Sequence, residues 1–138
     1  PIVMGTSVIV NSITSDAQAG TSAGSSFQDM VTFLVNGLGG EETLRTLGPG
    51  GRVQNVQVRI GTSTVMVSEA SGRYPPMGCA FYLHVADADA AMARAIEHGA
   101  TLEMPVGDMP YGDRQGGVRD QFGNIWWISQ RTVEEPYS

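Results

Sequence analysis

The chain has 138 residues and a formal net charge of −6, the size of one domain with an acidic balance. Acidic chains repel phosphate backbones and anionic lipids, and no apolar run approaches the roughly 18 residues of a membrane-spanning helix, so neither a nucleic-acid nor a membrane partner is expected. All eight basic residues are Arg, which removes Schiff-base and phosphate-loop lysine chemistry. Cys79 is the single cysteine, which rules out an internal disulfide and a multi-cysteine zinc site. No charged-plus-apolar secretion signal is visible, so the expected location is the cytoplasm.

In chain order, Pro1–Val10 is apolar and β-branched and predicts a strand. Residues 11–28 are mostly small and polar and predict a long flexible loop, with Asn11–Ser26 as its Ser/Thr/Gly/Ala-rich part. Asp29 is placed to cap a helix over Met30–Leu38, which Gly39-Gly40 ends. Glu42–Leu47, Val53–Ile60 and Thr64–Ser68 predict strands separated by the turns Gly48–Gly51 and Gly61-Thr62. The apolar alternation of the middle strand slips by one residue between Val53 and Val56. Tyr74-Pro75-Pro76 reads as a linker.

The second half follows the same plan. Cys79–Val85 predicts a strand. Asp87 caps a helix to about Glu97, with Ala91, Met92, Ala95 and Ile96 as its stripe, His98 in the last turn and Gly99 as a left-handed cap. Thr101–Met104 predicts a short strand, Pro105–Gly112 a loop, and Gln115–Arg119 and Asn124–Gln130 a final pair of strands. At an offset of sixty, Gly39 matches Gly99 and Val58-Arg59 matches Val118-Arg119. The expectation is one domain over residues 1–138, made of two strand–helix–strand–strand–strand modules at about 1–73 and 77–132.

The run Tyr111–Trp126 (YGDRQGGVRDQFGNIW) resembles the signature of the glyoxalase/bleomycin-resistance/extradiol-dioxygenase superfamily, also called vicinal oxygen chelate, and within it the PhnB-like branch. Phe81–Asp89 (FYLHVADAD) and Phe33–Glu42 (FLVNGLGGEE) are similar to its second strand–helix junction and its first helix end. The resemblance implies an α+β fold of paired βαβββ modules whose mixed sheets curl around a ligand, and a homodimer. Where the family holds a metal, the resemblance puts its ligand positions on Ala80, near Val67 and on Trp127, and it finds no His, Glu or Gln in Pro1–Val10. No metal and no cofactor is therefore expected.

Strand alternation puts Ala80, Tyr82 and His84 on one face, which the resemblance makes the interior of the cup. Trp126 and Trp127 must face opposite ways, and the family register makes Trp126 core and Trp127 a cavity wall. Tyr82, His84, Trp127 and Arg114 are the candidate ligand-binding residues. Asp113, Arg114, Arg119 and Asp120 form a charge-alternating cluster around a hairpin that reads first as turn geometry and ion pairs, with Arg114 or Arg119 reaching an anionic ligand as the alternative. His84 is also the one candidate for a catalytic base. Asp120 reads as a turn former, His98 as a helix-end residue and Cys79 as core. The leading expectation is metal-independent binding of a flat or cationic compound such as an antibiotic. Two others stand beside it. One is a metal-dependent lyase, isomerase or dioxygenase using His84 with Glu69 or Asp113. The other is an interaction module whose cup is filled by its own side chains.

Overall fold

The structure, a computed structural model, describes residues 7–12, 23–51, 53–69 and 78–135. The chain divides into two compact units, Pro1–Met77 and Gly78–Ser138. The class is α+β, and each unit repeats the order strand–helix–three strands. The expected strand over residues 1–6, most of the expected loop (13–22) and the Tyr74–Pro76 linker lie outside the described residues.

In the first unit, β1 (Ser7–Ser12), β2 (Glu41–Leu47), β3 (Val53–Ile60) and β4 (Ser63–Glu69) form a sheet of order β1-β4-β3-β2, with β1 parallel to β4 and the other pairs antiparallel. Helix α1 runs over Ala23–Thr32, and a π-helical turn over Phe33–Gly37 continues it, where Leu38 N–H donates to the Phe33 carbonyl. The helix thus begins inside the stretch expected to be loop, and Asp29 lies within it rather than capping it. Its first turns are Ala, Gly and Ser, which carry no apolar period to announce a helix. Met30, Val31, Phe33 and Leu34 are buried, as are Val56, Val58, Ile60, Val65 and Val67 from β3 and β4. Together they are this unit's core.

The second unit repeats this arrangement with β5 (Ala80–His84), α2 (Ala88–Glu97), β6 (Thr101–Asp108), β7 (Asp113–Arg119) and β8 (Ile125–Arg131) in the order β5-β8-β7-β6. Asp87 caps α2, its Oδ1 accepting from Ala90 N–H at 3.0 Å, and Gly99 follows the helix at φ 108°. The buried stripe is Ala88, Met92 and Ala95, whereas Ile96 is exposed. The strand expected to stop at Met104 continues to Asp108. Pro105 does not end it, because β6 is an edge strand, where a missing N–H is tolerated.

The repeat extends to irregularities. On β2 the register passes from Glu42↔Val58 to Leu44↔Gln57, and on β6 from Leu102↔Val118 to Met104↔Gly117. The extra residues, Thr43 and Glu103, are β-bulges sixty positions apart. The slip in β3 has the same kind of cause. Thr46 pairs with Asn55 and Leu47 with Val53, leaving Gln54 as the bulged residue.

Candidate functional site

The two faces of the second sheet differ. Phe81, Leu83, Val118, Trp126 and Ile128 alternate onto the face that carries α2. There Trp126 is buried and stacks on Phe81 with ring centroids 4.4 Å apart. The neighbouring turn anchors Trp126 further. Asp120, itself buried, accepts from Trp126 Nε1 at 2.8 Å, Asn124 Nδ2 at 2.9 Å, and the N–H groups of Phe122 and Asn124. The Asn124 Oδ1 in turn accepts from Cys79 N–H at 3.0 Å. Asp120 is thus a structural hub as well as a turn former, and Cys79 is only half-buried.

The other face carries the candidates. Tyr82, Trp127 and Gly117 lie in one row across β5, β8 and β7, and His84, Ser129 and Gln115 in the next. Register partners project to the same side, so Tyr82, His84 and Trp127 share a face. The rings of Tyr82 and His84 are 5.0 Å apart and tilted by 53°. His84 is exposed, Tyr82 is 47% exposed and Trp127 is partly so.

A polar network lies in the sheet beneath these rings. The Tyr82 hydroxyl meets Asp113 Oδ2 at 2.8 Å, Ser129 Oγ at 3.0 Å and Gln115 Oε1 at 3.1 Å. Ser129 Oγ donates to Asp113 Oδ2 at 2.6 Å, and Arg131 Nη1 donates to Asp113 Oδ1 at 3.0 Å. The Tyr111 hydroxyl also bonds Gln115 Oε1. Asp113 is 1% exposed and Gln115 6%. A carboxylate this buried is held by its partners: Arg131 supplies the countercharge, and two hydroxyls occupy the other oxygen. The Tyr82 hydroxyl thus has its partners within the protein. Tyr82 turns it inward and presents the ring.

Arg114 is not brought to this face. It alternates onto the α2 side, with its Nε 2.6 Å from Asp89 Oδ2 and its Nη1 3.1 Å from Asp108 Oδ1. The Asp89 bond, seconded by Asp108, raises the guanidinium pKa further above its ordinary value, and Arg114 in turn lowers that of Asp89. Arg119, on the ligand-candidate face, is paired with Glu103 at 3.1 Å. His98 caps the C-terminal end of α2.

The positions that the resemblance assigns to a metal do not fit one. Ala80 and Val67 have no donor atom, Val67 is fully buried, and Trp127 offers an indole. Among the described residues, no group of three or more His, Cys, Asp or Glu side chains gathers where an ion could be held. The side chain of Glu69 lies outside the described residues.

Alternation could have revealed most of the network. Residues 113, 115 and 117, and residues 127, 129 and 131, share the parity that places Tyr82 with Trp127. The same parity moves Arg114 to the opposite side. Tyr111 precedes β7 in a turn, and no periodicity reaches it.

The fold and this face place the chain among two-module βαβββ proteins. The Glyoxalase/Bleomycin resistance protein/Dioxygenase superfamily matches over residues 21–128, and the chain belongs to that superfamily. An uncharacterized protein of Mycobacterium bovis is 30% identical, over 75% of this chain and 76% of its own length. Among solved structures, TioX from Micromonospora sp. ML1 aligns with a TM-score of 0.70 at 23% identity, over 95% of this chain and 100% of that one. TnmS3, an antibiotic binding protein from Streptomyces sp. CB03234, aligns with a TM-score of 0.65 at 21% identity, over 95% and 99%. At these identities the two structures speak for the fold.

Proposed function

We propose that this chain binds a small, flat or cationic organic compound on the open face of its second sheet, without a metal. The observation that carries the reading is the shared face of Tyr82, His84 and Trp127, whose rings are accessible while the polar groups beneath them are tied to one another. Aromatic faces recognise planar and cationic groups by stacking and by the ring quadrupole, and the net charge of −6 favours a cation. The antibiotic binding relative TnmS3 makes antibiotics the first compounds to try. The reading also takes the chain as a PhnB-like member, on its Tyr111–Trp126 run, acting as a cytoplasmic homodimer. Sedimentation equilibrium tests the dimer.

The test is a tryptophan-fluorescence titration with a panel of planar antibiotics and the planar cation proflavine. Saturable quenching that weakens about tenfold in Trp127→Ala supports the reading, a loss typical of a central aromatic contact. Equal binding by that variant overturns it. Metal-dependent turnover abolished in His84→Ala would replace it with the enzyme.

A further inference from the structure

Gln115 is 94% buried by its 6% exposure, and both tyrosine hydroxyls meet the same end of its amide. Among the described residues, the other end of that amide has no hydrogen-bonding partner. Turning the amide over exchanges its oxygen and nitrogen but leaves the same count: one end on Tyr82 and Tyr111, one end without a partner. A buried polar group left in this state is destabilising and calls for an explanation.

The space beside it supplies one. Gly107 on β6 is the register partner of Gln115 and shares its side of the sheet. A Cβ built on Gly107 would have nothing within 4 Å among the described residues. By contrast, a Cβ on Gly117, two residues along β7 on the same face, would come 2.6 Å from the Trp127 ring. The face therefore has a ring-covered stretch at Gly117 and an open stretch at Gly107, with the Gln115 amide between them.

We infer that Gln115 is a specificity-determining residue: it holds Tyr82 and Tyr111 through one end of its amide and offers the other end to a polar group of the ligand seated over Gly107. The inference rests on the proposed binding function and narrows its ligand class. The compound is a planar aromatic carrying a neutral group that both donates and accepts hydrogen bonds, such as a carboxamide. A carboxamide answers either end of the glutamine amide. Tyr111 joins Tyr82 as a wall of the site, its ring 47% exposed and its hydroxyl fixed.

The probes are 2-naphthamide and naphthalene, identical in their rings and different in the polar group, with affinities from ligand-observed NMR titrations. Wild type is expected to prefer the amide about fivefold or more, the value of one net hydrogen bond. In Gln115→Met that preference falls to near one; the ratio of the two affinities within each protein is the readout, so a change common to both probes does not enter it. Gly107→Val, which fills the open stretch and leaves Gln115 in place, is expected to remove the preference too. A preference that persists in Gln115→Met overturns the inference, as does a wild-type preference of one. If Gln115→Met does not fold, persistence in Gly107→Val overturns it instead. In each of these outcomes naphthalene still binds through Trp127, so the proposed function stands. If neither probe binds wild type, the inference fails, while the proposed function is decided by its own titration with the antibiotics and proflavine.

Discussion

The indole of Trp127 lies across the backbone of Gly117, its register partner on the neighbouring strand: a Cβ at Gly117 would come 2.6 Å from Cζ3. The preceding residue does the opposite job. A Cβ at Gly116 would come 2.8 Å from Met92 Cε and 3.1 Å from the Met104 carbonyl, so its lack of a side chain lets α2 approach the sheet. The Gly-Gly pair in β7 thus serves the two faces separately. Gly117→Ala should displace the Trp127 ring, shift its emission and weaken ligand binding. Gly116→Ala should act on the core, lowering stability by about 1–3 kcal/mol through overpacking. Urea denaturation alongside fluorescence separates the two.

The tryptophans divide in the same way. Trp126→Ala removes a buried ring and its bond to Asp120, with an expected loss of about 3–5 kcal/mol. Trp127→Ala should leave stability nearly unchanged and act on binding. A large loss of stability in the second variant would mean that Trp127 plugs the face rather than serving a ligand.

Asp120→Ala strands four donors at once: the Trp126 indole, the Asn124 amide and two backbone N–H groups. Leaving a buried donor without its partner typically costs about 1–3 kcal/mol. The expected readout is a lowered denaturation midpoint. Ligand affinity, measured under conditions where the variant is folded, should remain.

Much of the fold was legible because its signals are local. Asp87 and Gly99 bound α2, and the sixty-residue offset exposed two modules. The matching bulges at Thr43 and Glu103 came only from the strand register. The first turns of α1 were not legible, since Ala, Gly and Ser there announce no period. Tyr82, His84 and Trp127 came together by alternation. The ion-pair reading of Arg114 was legible in the charge cluster around the hairpin, but its partners were not: one carboxylate, Asp89, stands on α2, 25 residues away, and the other, Asp108, on β6. The Gln115 amide was silent because its importance lies in what two tyrosines leave unused.

Arg114 also sets a pH dependence. Asp89 has its pKa lowered by the Arg114 hydrogen bond and charge, and Glu42 has its own lowered in the same way by Arg45. A carboxylate lowered in the folded state contributes stability above its unfolded pKa, about 4, and loses it as pH falls through the folded value. Arg114→Met should return the Asp89 titration toward its ordinary value in an NMR pH series. The stability gap between wild type and variant should be present at neutral pH and close toward acid. A gap that does not change with pH would assign the Arg114 contribution to packing.

Ligand binding by this face should also be indifferent to metal. Exhaustive dialysis against a chelator is expected to leave the affinity unchanged. A loss restored by one divalent ion would show that binding runs through a cation.

The most direct test of the binding face is amide chemical-shift mapping with the tightest compound from the antibiotic and proflavine panel. The account predicts the largest changes at Tyr82, His84, Gln115, Gly117, Trp127 and Ser129, on alternate residues of β5, β7 and β8, all reduced in Trp127→Ala. Changes centred instead on α2, or on the first unit alone, would contradict it.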